Sequence, residues 1–427
     1  MALELLKTKL KRLGVCQFEA ASFFVPCFLT TILQLTGIQA VTDFTINKDL
    51  ASPVQSTAIW LKGREVGIQL KATLHTHALL ITLIVAWLAV CMFAAKVFDR
   101  ADRISLSLYT NGQGLLLILS LIAFLCGHAI YTMVFVRPEH LTKCILNDLR
   151  NNYLNIERIT VGLPILLFMP MFISAWTSFK TMIPFINPYS WDFEFAKWDA
   201  IIHGGVHPWL LLRPIIGKPL ITSVISFFYN LWFFVLYAVL IWQAFSMRDS
   251  RLRMQFFLTF ICSWALLGNV VAMLFSSVGP CYYGRYTGLI DPFQPLMDYL
   301  WLARDSFPVW SLHIQEMLWE TYEKGGIGFG SGISAMPSMH VSMAFLFTLI
   351  GWRTGHALGV AFTVYAVPIM IGSVHLGWHY AIDGYAAIIG TWLIWRAVGW
   401  LMNGRGSFLV GIDGINKQQR SNLEEMR

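Results

Sequence analysis

Charged residues are scarce in this sequence. Asp, Glu, Lys and Arg make up 13% of its 427 residues, against about 25% in soluble domains. Hydrophobic residues make up 56% and mean hydropathy is +0.59, which excludes an ordinary water-soluble domain. The fold class expected is an all-α polytopic membrane protein, because a helix satisfies its own backbone polar groups in hydrocarbon. A soluble helical protein would have to bury several apolar runs of about 18 to 25 residues without a bilayer. The seven cysteines (Cys16, Cys27, Cys91, Cys126, Cys144, Cys262 and Cys281) include no Cys-x-x-Cys and lie mostly in apolar runs. They read as small buried side chains, not as a metal or disulfide frame. Internal repeats and low-complexity tracts are missing too, which excludes solenoid arrays. Residues 1–14 are basic and amphipathic, but no small-x-small cleavage site follows a short apolar core, so no removable signal peptide is expected. The net charge of +7 is not interleaved with aromatics as nucleic-acid binding requires. In a membrane protein such charge reports orientation and contact with anionic headgroups.

What is present is a series of apolar runs. Spans are expected at 74–96, 114–136, 160–182, 220–246, 255–277, 336–352, 356–374 and 379–401. Residues 18–40 contain Glu19, Pro26, Gln34 and Gln39 and are read as an interfacial or re-entrant helix, and 42–72 as polar surface. The connector 186–218 is rich in Trp, Pro and Gly, as suits the headgroup layer, and the connector 278–335 holds an amphipathic piece at 309–323. Three regions follow: 1–155, an amphipathic or re-entrant segment with two transmembrane helices; 156–402, a six-helix catalytic core; and 403–427, a polar cytoplasmic tail.

Short basic loops set the orientation. Arg248, Arg251 and Arg253, then Arg353, then Arg405, Lys417, Arg420 and Arg427 fall on one face by alternation, and that face is cytoplasmic. Arg137, Lys143, Arg150 and Arg158 join them. Both long connectors then lie outside the cytoplasm. Arg100 and Arg103 fall outside as well, against the rule.

Two stretches carry chemistry. The first is Ser334-Ala335-Met336-Pro337-Ser338-Met339-His340, at the head of an apolar run. The second is His379-Tyr380-Ala381-Ile382-Asp383, one helical hairpin later. A hairpin of two crossings returns both to the same side. Counted from Met336, the first crossing is a helix of about 17 residues. His379 and Asp383, spaced i, i+4, share a helix face, so the carboxylate can orient one ring nitrogen and leave the other as a nucleophile. Alone, such a pair is as readily a satisfied polar contact between helices. Pro337 suits a first helical turn, whose free N–H groups and Ser338 hydroxyl make an anion pocket. His340 then stands where a general acid for a departing alkoxide would stand.

The pattern Pro-Ser-x-His followed by His-x-x-x-Asp resembles the second and third signatures of the type 2 phosphatidic acid phosphatase superfamily. The wording Ala335-Met336-Pro337-Ser338-Met339-His340 looks most like its phosphotransferase branch, that of the inositol phosphorylceramide synthases. The resemblance is specific over 334–384 and extends over 160–401. It implies His379 as nucleophile, Asp383 as its relay partner, His340 as the acid and Ser338 as a phosphate ligand. It also implies a phosphohistidine route with no cofactor and no metal. The departures concern cations. Met339 replaces the Gly of the phosphatase-type signature, and Gly372-Ser373 stands where that signature has Ser-Arg. A first signature, Lys-x6-Arg-Pro, is not found: Arg213-Pro214 has Val206 in the Lys position. Arg285, or else Arg304, is therefore expected to serve the phosphate, with a snorkelling interfacial arginine as the alternative for Arg285.

Further pocket candidates are His375, Tyr282 and Tyr283. His75, His77, His203 and His207 have spacings a metal could use but lack third and fourth ligands nearby, and are read as interfacial. Lys197, Asp199 and Asp291 are read as solvated. The function expected is a lipid phosphotransferase that moves a phosphoryl headgroup from a phospholipid donor to a hydroxyl-bearing acceptor on the extracytoplasmic face. A bacterial inner membrane is the expected location. A lipid phosphate phosphatase with the same histidines is the first alternative, and a degenerate lipid-binding or transport protein the second.

Overall fold

The computed structural model describes residues 73–74, 76–110, 121–122, 125–150 and 156–404. They belong to one compact unit, and its described residues are helical with no strand. Six described helices are long and apolar enough to cross a membrane. They are α1 (Ala78–Val97), α4 (Ile156–Ile186, apolar from Arg158), α7 (Pro219–Ala244), α8 (Ser250–Leu274), α12 (His356–His375) and α13 (Ala381–Gly404). Between the first two lie α2 (Leu125–Val134) and α3 (Leu141–Asp148). The expected span at 114–136 falls partly outside the described residues. So do His75, the segment 18–40 and the tail.

One of the six expected core helices departs from expectation. α11 (Met339–Thr354) has 16 residues and begins three residues later than read from the sequence. At about 1.5 Å per residue it is short of the ~30 Å hydrocarbon layer. It does not need that length, because α12, α13, α7 and α8 pack around it and most of its side chains are buried. Residues wrapped by protein need not match the bilayer. Only Gly355 separates α11 from α12. Their close crossing relies on Gly351 and Gly359, where a Cβ would run into Phe362 and the Trp352 ring.

Both connectors are built, not loose. The first forms α5 (Asp192–Ile202) and α6 (Pro208–Ile216), and the second forms α9 (Gln294–Ser306) and α10 (Trp310–Glu323). The amphipathic reading at 309–323 corresponds to α10; the other three helices were not foreseen. They close over the end of the bundle where α4 ends and α11 and α13 begin. α8 carries a wide π-helical stretch at Ser263–Val271 facing this end. Inside it Trp264 offers its carbonyl to the Trp176 indole at 2.8 Å, tying α4 to α8.

Candidate active site

The site grows from the turn before α13. His379 sits just outside that helix with its side chain 9% exposed. Its Nδ1 lies 2.7 Å from the Ala335 carbonyl oxygen and 3.3 Å from Asp383 Oδ2. A carbonyl can only accept, so Nδ1 carries the proton and Nε2 holds the lone pair. The closer partner is thus a backbone carbonyl from the first motif, with the carboxylate second. Asp383 is fully buried, and its Oδ2 also accepts the Tyr380 N–H at 3.0 Å. Burial lowers the His379 pKa from 6.5 to about 3, so the ring is neutral near pH 7.

The first motif reaches the same place. Ser338 N–H donates to the Asp383 carbonyl at 3.2 Å, and Ala335 N–H to the Ser277 carbonyl at 3.0 Å. Ser338 is the N-cap of α11, its hydroxyl accepting from Val341 N–H at 3.5 Å. Pro337 therefore lies just before the cap, two places ahead of the first helical position, and not in the first turn expected of it. The anion-binding character of the turn survives this, because it comes from the N–H groups after Ser338 and the helix dipole. His340, in the first turn, is packed in rings. Its imidazole stacks on Tyr229 at 4.5 Å and 13°, lies 4.1 Å from Trp232, and meets the edge of Phe233 at 5.8 Å. On its other side Tyr229 stacks on Trp378 at 6.2 Å, next in sequence to His379. The two imidazoles lie within electrostatic reach of each other.

The cation beside them is Lys180, which the sequence reading missed. It stands near the end of α4 with its Nζ 5.4 Å from the Trp176 ring centroid, and its charge acts on both His340 and His379. The signal that finds it is Lys180-x6-Asn187-Pro188, one substitution away from the Lys-x6-Arg-Pro signature. Asn187 does not replace the arginine, because its side-chain amide donates to the Met273 carbonyl at 2.7 Å.

The expected arginines are occupied elsewhere. Arg285 forms a two-bond fork to Glu316 at 2.9 and 2.5 Å, with its side chain 43% exposed. Arg304 lies 5.1 Å over Trp301 on the exposed face of α9. Both sit on connector helices, where the nearest carboxylate or ring satisfies them; neither is brought to the histidines. His375 turns to Thr222 Oγ1 at 2.9 Å, and Thr222 in turn bonds the Tyr299 hydroxyl at 2.8 Å. The Tyr282 hydroxyl donates to the Gln315 carbonyl at 2.9 Å, while Tyr283 packs on Phe293. These three brace the walls of the site.

Two carboxylates, one weighed as solvated and one passed over, do the most bracing. Asp192 accepts from Val278 N–H and Gly279 N–H, both at 2.9 Å, and from the Tyr380 hydroxyl at 2.8 Å. Asp199 accepts from Ala381 N–H and Ile382 N–H, both at 3.1 Å, capping α13 from another helix. Burial pushes both carboxyls above the ordinary range, and the donors pull them back. Asp291 likewise holds loop N–H groups, those of Gly284 and Phe293. His203 bonds the Asp199 carbonyl and the Tyr385 hydroxyl, and among the described residues no three His, Cys, Asp or Glu are placed to hold a metal.

No curated protein and no solved structure matches the chain. A family model described as the PAP2 superfamily matches residues 194–397, the stretch containing Ser338, His340, His379 and Asp383, and over that stretch the chain is similar to this superfamily.

Proposed function

We propose that the protein is an integral-membrane lipid phosphotransferase working through a phosphohistidine at His379. The observation that carries this reading is the commitment of His379 Nδ1 to Ala335 and Asp383, which leaves Nε2 as an unprotonated nucleophile. In the first half-reaction Nε2 attacks phosphorus of a phospholipid donor, the P–O bond to the lipid breaks, and His340 gives its proton to the departing alkoxide. In the second, an acceptor hydroxyl passes its proton to His340 and its oxygen attacks phosphorus, releasing His379. Lys180 and the first-turn N–H groups of α11 balance the charge that gathers on the phosphoryl oxygens. Absence of the Ser-Arg clamp before His379 favours the transferase over the phosphatase. The cation-rich loops at the opposite end, Arg248 to Arg253 and Arg353, favour an extracytoplasmic site, and a bacterial inner membrane fits.

The test is a product assay on purified protein given a headgroup-labelled phospholipid and candidate hydroxyl acceptors. A new phosphodiester lipid is expected. Free phosphate or phosphorylated headgroup alone would identify a phosphatase and overturn the transferase reading. A labelled phosphoenzyme that His379→Ala abolishes and His340→Ala does not would assign the nucleophile.

A further inference from the structure

Phosphoryl chemistry wants a guanidinium near the transferred group, and each place where one is expected holds something else: Asn187, Ser373, and Arg285 spent on Glu316. Another arginine lies close by. Arg103 ends a short turn, Ala101–Arg103, that follows α1, and it is only 9% exposed. Its guanidinium carbon lies 4.6 Å from the Phe185 ring centroid, with Arg100 on the same ring at 4.5 Å. Phe185 belongs to the last turn of α4, so these are the two arginines that break the positive-inside pattern, and they stand at the site end.

Little there neutralises Arg103. Asp102 Oδ2 is 3.4 Å from its Nε, but that carboxylate is 67% exposed and the Nε lacks hydrogen-bond geometry to any acceptor. Arg103 lines a narrow cleft that is partly open to solvent, and Lys180 lines the same cleft. Thr181, Tyr189, Tyr322 and the glycines Gly326 and Gly332 complete the wall. Gly332 is required there: its φ is +93°, and a Cβ would press on Lys180 at 3.0 Å. Two residues on, the strand of chain that carries Gly332 and Ile333 presents the Ala335 carbonyl to His379. One wall of the cleft is therefore continuous with the catalytic turn, and Lys180 faces both.

We propose that Arg103 and Lys180 form an anion subsite beside the histidine pair, which takes a phosphate group of the substrate and makes up for the guanidinium the signatures lack. The proposal rests on the lipid phosphotransfer reading for its place in the reaction, but binding there does not need turnover. A buried, ring-stacked guanidinium whose Nε has no acceptor, in the wall of a cleft that Lys180 also lines, suits tetrahedral oxygens. The group can arrive on a lipid headgroup or as free phosphate.

The test separates the two sources. Protein carrying His379→Ala, reconstituted in phosphatidylcholine nanodiscs, is titrated with dioctanoyl phosphatidic acid and, separately, with inorganic phosphate. Adding Arg103→Gln is expected to weaken binding about 10- to 100-fold, the loss of one or two charge-assisted hydrogen bonds. Arg103→Lys should recover part of it, which a variant that has only lost packing would not do. Weakening for both probes marks recognition of phosphate itself, and weakening for the lipid alone marks a headgroup site. Unchanged affinity for both, or no binding by the Arg103-intact protein, overturns the subsite. If the intact enzyme binds the lipid through Arg103 but makes no phosphodiester and no free phosphate, the catalytic reading fails and the subsite stands.

Discussion

The two histidines of the site are held in opposite ways. His379 is fixed by hydrogen bonds, to the Ala335 carbonyl and Asp383, on a turn that Asp192 and Asp199 brace. His340 is fixed by faces and edges of rings, with no hydrogen bond to its ring nitrogens among the described residues. A nucleophile must keep one tautomer throughout, and a fixed acceptor at Nδ1 enforces that. A group that gives a proton in one half-reaction and takes one in the next must be oriented without having either ring nitrogen tied up. Aromatic stacking orients an imidazole without choosing which nitrogen is protonated.

The largest break in this comparison comes from deleting each ring. His379→Ala should abolish phosphoenzyme and turnover. His340→Ala should slow transfer from a natural lipid about 10²- to 10⁴-fold yet leave much more activity on a donor with a nitrophenolate leaving group, which needs no proton. Rapid-quench kinetics on both donors checks this; equal losses on the two would remove His340 from the acid role. Next in size are the braces. Asp192→Asn leaves one oxygen for three donors and sets an NH₂ against a buried N–H. It should cost about 2 to 4 kcal/mol in stability, read by thermal unfolding in detergent. Asp199→Asn should cost less, since one oxygen stays for the two N–H donors and only one bond at one helix start is lost.

Acidity sharpens the contrast further. A group whose pKa falls from 6.5 to about 3 on folding stays neutral across that window in the native protein. The rate of the phosphoenzyme burst with a nitrophenyl donor should therefore be flat from pH 7 down to about pH 4. The same shift lowers stability as pH falls through that window, because only the unfolded chain takes up the proton. A burst that declines with an apparent pKa near 6.5 would show His379 to be solvated.

Much of this was legible in the chain itself. The spans showed as apolar runs, and the second and third motifs lie within single stretches, so local spacing reveals them. What stayed hidden depends on distant partners. Asp192 accepts from groups some 86 to 188 residues away, and nothing around Trp191 announces it. Asp199 looks solvated in sequence because only the fold brings the start of α13 over it. Lys180 is hidden in the sequence by a single change, Asn187 in the place of the signature's arginine. Arg285 was misplaced because a sequence shows a cation near a motif but not the Glu316 that captures it.

The smallest expected effect tests the ring stack itself. Tyr229 lies between His340 and Trp378, is buried, and leaves its hydroxyl without a partner. If its face orients His340, Tyr229→Phe should preserve the rate, because the face is kept and an unsatisfied buried hydroxyl is removed. Tyr229→Leu keeps apolar bulk but loses the plane, and an aromatic pair is worth about 0.5 to 1.5 kcal/mol, so kcat should fall roughly 2- to 10-fold. In the phosphoenzyme burst the loss should appear with a lipid donor and vanish with the nitrophenyl donor, since in that half-reaction only the first calls on His340. A Leu variant that slows both donors alike would mean that Tyr229 supports the whole site, and that ring packing holds the nucleophile as much as the acid.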